Sequence, residues 1–144
     1  MGQISAAISA IIDEFREREF DAHYLAFFEC FNQGLYFEAH EVLEKLWLPQ
    51  RNGPKGQAYK GLIQLAGAFV HLQKGRLRPA NALFDLAHAN LTSYQPVHDG
   101  LDVKGVLEMI MNWQSALKGA GFAVNPLELR PPPRIDLLDT ARTP

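Results

Sequence analysis

GLYFEAHEVLEKLW, residues Gly34–Trp47, and KGLIQLAGAFVHLQKG, residues Lys60–Gly75, decide how the chain is read. In the first stretch Leu35, Ala39, Val42, Leu43 and Leu46 recur at three- and four-residue steps, which places them on one face of a helix running from about Leu35 to Leu48. Around the second, Ala58, Leu62, Leu65, Phe69 and Leu72 share a face of a helix from about Gln57 to Lys74, stopped by Gly75. An internal repeat appears when the chain is slid by 41 residues. Phe28 then falls on Phe69, Phe31 on Leu72, Gly34 on Gly75, Ala39 on Ala80, Val42 on Leu83, Leu43 on Phe84 and Glu44 on Asp85. Each half reads as helix, Gly turn, helix.

Working outward, Ile4, Ala7, Ile8, Ile11, Ile12 and Phe15 form the stripe of an N-terminal helix that needs a partner surface. Asp21 can cap a second helix carrying Leu25, Phe28 and Phe31 up to the stop signal Asn32-Gln33-Gly34. PQRNGPKG, 49–56, is the clearest loop and separates the two halves. Pro79 suits the first turn of a fifth helix bearing Ala80, Leu83, Phe84, Ala87 and Leu91 up to Tyr94, where Pro96 breaks the chain. Asp99, Gly100 and Asp102 introduce a sixth helix with Val103, Val106, Leu107, Ile110, Trp113, Gln114 and Leu117, closed by Gly119 and Gly121. The Pro-rich tail beyond Asn125 is extended or disordered unless Ile135, Leu137 and Leu138 dock on the body or on a partner. The expected organisation is an N-terminal helix over 1–20, a helical bundle domain over 21–122 and a tail over 123–144. The fold class is all-α: a compact bundle of five to six helices with two antiparallel hairpins. The Gly turn followed by a small Ala resembles the second helix of a tetratricopeptide repeat, although the 41-residue period is longer than that repeat's.

Composition agrees with this class. The chain has 144 residues, enough for one core, and its 36 Leu and Ala residues outnumber its 16 Val, Ile and Thr residues. A formal charge of -2 supplies no electrostatic footprint for nucleic acid or an anionic membrane, so neither partner is expected. The lone Cys30, set among Phe27, Phe28 and Phe31, reads as a small core residue in a reducing, cytoplasmic compartment. The N-terminus lacks the basic start of a signal peptide, and no apolar run approaches a membrane span.

One polar constellation stands out. His40 and Glu44 lie four apart on one helix face, with Tyr36 and Trp47 beside them, while Glu41 points about 100° away from His40. A His and a carboxylate at that spacing can bind one metal ion or hold a proton between them. The stretch resembles the H-E-x-x-H of zinc proteases, but Glu44 replaces the second His, so further ligands must come from elsewhere. On the next helix Gln57, Lys60, Gln64 and His71 share a flank bordered by Gly61 and Ala68, small residues that permit close approach. If these helices pack side by side, His40, Glu44, Gln64 and His71 converge, and His40, Glu44 and His71 become candidate ligands for a divalent metal. The same residues equally suit an interior polar network whose members satisfy one another. His23, His88 and His98 read as solvated or singly bonded. Phe37 and Leu48 give the third helix a second apolar side, which leaves room for a homo-oligomer.

GLYFEAHEVLEKLW followed by KGLIQLAGAFVHLQKG resembles the signature pair of the family known as domain of unknown function 309, over about residues 21–94. The resemblance implies a helical bundle and no assigned activity. It carries Gly34, Tyr36, Glu38, Ala39, His40, Glu41, Glu44, Trp47, Gly61, Gln64, Ala68 and His71 as recurrent positions. The chain departs from the pattern at Arg76, where Asn is usual, and at Pro79, where Gly is usual. The expected function is a helical binding or interaction module for a protein or small molecule, with a polar cluster at Tyr36, His40, Glu41, Glu44, Trp47, Gln64 and His71. The competing expectation is a metal-dependent or small-molecule enzyme using His40, Glu44, Gln64 and His71.

Overall fold

The computed structural model describes residues 6–14 and 20–138. Among the described residues six α-helices follow one another: α1 (Ala6–Glu14), α2 (Ala22–Asn32), α3 (Tyr36–Trp47), α4 (Gly56–Gln73), α5 (Leu77–Leu91) and α6 (Val103–Gly119). A two-stranded antiparallel hairpin, β1 (Val97–His98) and β2 (Leu101–Asp102), interrupts them before α6. The protein is therefore an all-α bundle. Among the described residues no helix is long and apolar enough to cross a membrane.

The repeat read from the sequence is built from two matching turns. Leu35 N–H donates to the Cys30 carbonyl and Gly34 N–H to that of Phe31; Arg76 and Gly75 make the same pair of bonds to His71 and Leu72. Both are Schellman endings, which need a residue in the left-handed region, and Gly34 (φ 77°) and Gly75 (φ 70°) occupy it without a Cβ penalty. Starts are fixed as locally: the Asp21 carboxylate accepts from His23 N–H at 2.7 Å, and that of Asp102 from Gly105 N–H at 3.0 Å. α5 begins at Leu77, two residues before Pro79, which sits in the first turn, where a missing N–H costs no helix bond.

Phe69 of α4 is the centre of the core. Its ring meets Phe31 of α2, Tyr36 of α3, Phe84 of α5 and Trp113 of α6 at centroid distances of 5.0 to 5.5 Å. These separations suit edge-to-face and offset-stacked rings, so one side chain ties five helices together. Ala39 and Ala80, the small residues of the two hairpins, are both fully buried. α3 and α4 run side by side in opposite directions: Lys60 at the start of α4 meets Trp47 at the end of α3, and Gln73 Nε2 donates to the Gly34 carbonyl. α4 approaches α5 more closely still, because a Cβ on Gly61 would lie 2.7 Å from Leu91 Cγ.

Two outlying segments dock on this body. Ile8 of α1 is buried against the core, whereas Ile4, Phe15 and the side chain of Ile12 lie outside the described residues. The tail runs extended across the bundle. Asn125 Nδ2 donates to the Leu72 carbonyl, Asn32 bonds both the N–H and the carbonyl of Ile135, and Leu138 N–H donates to the Gly100 carbonyl. Ile135 is buried, which gives this Pro-rich segment its apolar anchor.

Candidate functional site

The periodicity of α3 divides it into a buried face, with Ala39, Val42 and Leu43 at 0% exposure, and a half-exposed flank of His40, Glu44 and Trp47 that begins at the exposed Phe37. His40 Nε2 lies 4.0 Å from Glu44 Oε2, near enough for charge attraction and too far for a hydrogen bond. The Phe37 ring is 5.7 Å from that of His40, and the Lys60 ammonium lies 6.0 Å from the Trp47 ring centroid. Glu41 stands half-buried on the adjacent flank and makes no ion pair among the described residues.

The four residues expected to converge do not form one bonded cluster. His40 and Glu44 meet, but Gln64 Oε1 accepts a 2.7 Å hydrogen bond from Asn90 Nδ2 on α5. The reason is the stripe of small residues: Gly61 packs on Leu91 and Ala87, so the amide flank of α4 is drawn to α5 rather than α3. His71 sits near the end of α4 with its Nδ1 buried and unpartnered. Burial, then the positive charges of Arg76 and Lys74, hold its pKa below the ordinary histidine value. Tyr36 is a core residue, 2% exposed, stacked on Phe69; its Oη has no partner, and burial pushes its pKa up to about 12. Among the described residues no three His, Cys, Asp or Glu side chains are grouped to hold a metal ion. His40, Glu44 and His71 therefore do not form the expected donor set. Cys30 is buried, and its thiol is pushed up to about 12, the state of an inert core residue.

A cluster not expected from the sequence forms around the hairpin turn. Asp99 Oδ2 lies 2.9 Å from Lys55 Nζ and 3.5 Å from His98 Nε2, while the Asp99 carbonyl accepts from Tyr24 Oη at 3.0 Å. Tyr94 Oη donates to the Pro54 carbonyl at 2.8 Å, and its ring is 4.7 Å from that of His98. His98, expected to be solvated or singly bonded, is instead packed in this cluster, its buried Nε2 near the Asp99 carboxylate but without a hydrogen-bond partner among the described residues. The hydrogen bond to Asp99 raises the pKa of Lys55, and burial raises that of Tyr24. Together these contacts pin the 48–55 segment against the hairpin.

Once pinned, that segment forms one wall of an open cleft of about 320 Å³. Trp47, Arg51 and Asn52 line it on one side, Gln57 and Lys60 of α4 on another, and Asn90 of α5 closes it. Arg51 Nη1 donates to the Leu48 carbonyl at 3.2 Å, which fixes the guanidinium. Arg51, Asn52 and Asn90 were missed by periodicity. The available signal was charge: residues 47–60 contain Arg51, Lys55 and Lys60 and no Asp or Glu, in a chain of net charge -2.

No curated protein and no solved structure matches the chain. A family model does match the segment that supplies most of α2, all of α3 and α4, and the first half of α5. Residues 24–83 match the family model Domain of unknown function (DUF309), and this stretch is similar to that family.

Proposed function

We propose that the protein is a binding module whose working surface is the groove between α3 and α4, together with the cleft at its Trp47 end, and that its ligand is a small molecule. The observation that supports this reading is the spare bonding capacity of the groove. His40 and Glu44 touch only at 4.0 Å, and Lys60 makes no ion pair among the described residues. His40 and Glu44 are half-exposed and Lys60 is exposed, so these groups keep water as a partner and can exchange it for the polar groups of a ligand. The two helical hairpins, with Ala39 and Ala80 buried at matching places after Gly34 and Gly75, support the same reading by analogy with helical hairpins that bind through one face.

A thermal-shift screen of small molecules against the full chain tests the reading, since a ligand that binds only the folded state raises the melting temperature. At least one chemical class should raise it, with the increment reduced in both His40→Ala and Trp47→Leu. A library without effect, or increments unchanged in both variants, would overturn the reading.

A further inference from the structure

We propose that the cleft at the Trp47 end of the groove is a phosphate subsite, taking the phosphate group of a small phosphorylated molecule. This rests on the binding-module reading and names the chemistry of its ligand. The cleft brings two cations, Arg51 and Lys60, to one cavity of about 320 Å³ with no carboxylate in its lining. Neither cation is paired with an acid among the described residues, whereas the third cation of the segment, Lys55, is neutralised outside the cleft by Asp99 at 2.9 Å. Two unneutralised cations facing one cavity leave a local positive field on a chain whose net charge is negative.

The remaining lining groups suit the same ligand. Arg51 uses one N–H on the Leu48 carbonyl, so its planar fork is held in place while other N–H donors stay available for paired bonds to phosphate oxygens. Asn90 is oriented by its bond to Gln64 and retains a second amide N–H. Asn52 and Gln57 are exposed at the rim and supply further amide donors. Trp47 gives the cleft a flat apolar wall beside Lys60, a surface for the organic part of the ligand. Gln64 thereby acts as a positioning residue, through Asn90.

The test is a titration of the full chain with inorganic phosphate and with pyrophosphate at constant ionic strength, followed by tryptophan fluorescence and by backbone amide shifts over residues 47–60. Saturable binding is expected, stronger for pyrophosphate, and weakened at least tenfold in Arg51→Gln and in Lys60→Gln. Both side chains are exposed, so the folded state of each variant can be verified by its unchanged melting temperature. Lys74→Gln, which removes a cation outside the cleft, should bind like the parent. Gln64→Leu should weaken binding less than either cation variant, and Gln64→Asn should not restore it, because the shorter amide does not reach Asn90. The subsite is refuted if ionic-strength-matched chloride reproduces the changes, or if Arg51→Gln and Lys60→Gln bind phosphate like the parent. If molecules without phosphate bind the groove while phosphate and pyrophosphate do not, the subsite fails and the binding-module reading stands. If no compound of any class binds, both fail.

Discussion

The α3–α4 pair and the α5–α6 pair meet their polar residues in opposite ways. An offset of 41 residues carries His40 and Glu44 of α3 onto Asn81 and Asp85 of α5. In the second pair Gln114 of α6, only 8% exposed, donates to Asp85 Oδ1 at 2.7 Å and to Asn81 Oδ1 at 3.1 Å. In the first pair no side chain of α4 does the equivalent. Gln64 is turned away to Asn90, leaving His40 and Glu44 a loose contact with each other. A closed network holds helices together; an open one, beside a cationic cleft, is free to hold something else.

The largest expected effect tests what the two pairs share. Phe69→Ala removes the ring that touches aromatics of four other helices and should cost about 3–5 kcal/mol in denaturant unfolding. A loss under about 1 kcal/mol would mean that the pairs do not depend on one core.

The two polar faces should then separate. Gln114→Leu leaves Asp85 and Asn81 without their donor and should cost about 1–3 kcal/mol. Tyr36→Phe, at a buried hydroxyl with no partner, should leave stability unchanged or raise it by about 1 kcal/mol. It should also soften alkaline unfolding. The Tyr36 pKa is raised by the fold, so its contribution is full below the ordinary tyrosine value of 10 and is lost as pH rises through about 12. A loss in Tyr36→Phe equal to that in Gln114→Leu would mean that the Tyr36 hydroxyl has a partner in the folded protein.

His71 gives the acid-side counterpart. Its pKa is lowered by burial, so the folded state resists protonation more than the unfolded chain does. Stability is complete above the ordinary value of 6.5 and declines as pH falls below it through the depressed folded value. Replacing His71 by Gln should flatten the stability profile between about pH 6.5 and the start of carboxylate titration, and an unchanged profile would place the sensitivity elsewhere. A small loss is expected at His40→Ala, where a half-exposed contact at 4.0 Å is worth under about 1 kcal/mol.

Much of this fold is written locally. The turns at Gly34 and Gly75 and the caps at Asp21 and Asp102 depend on residues within a few positions, and helix phasing located the faces carried by Phe69 and Ala39. The β1–β2 hairpin was not legible, because strands of two residues have no periodicity, although Asp99-Gly100 suits its left-handed turn. Docking of the tail through Ile135 was one of the alternatives the sequence left open, but its partner Asn32, 103 residues away, was not legible. For the site, the i, i+4 rule found His40 with Glu44, but it could not say that Gln64 would choose Asn90 over them. Arg51 and Asn52 lie in a segment without helical phase, held by Lys55 on Asp99 and Tyr94 on Pro54, contacts between parts of the chain about 40 residues apart.

The most direct test of the contrast is an amide shift map of the full chain against a small-molecule set containing phosphorylated, carboxylated and neutral members. Shifts should concentrate at His40, Glu44, Trp47–Lys60, Gln64 and Asn90, strongest for the phosphorylated members, while Asn81, Asp85 and Gln114 stay still. Shifts centred on Asn81, Asp85 and Gln114, with the α3–α4 groove silent, would contradict the assignment of the open network as the binding surface.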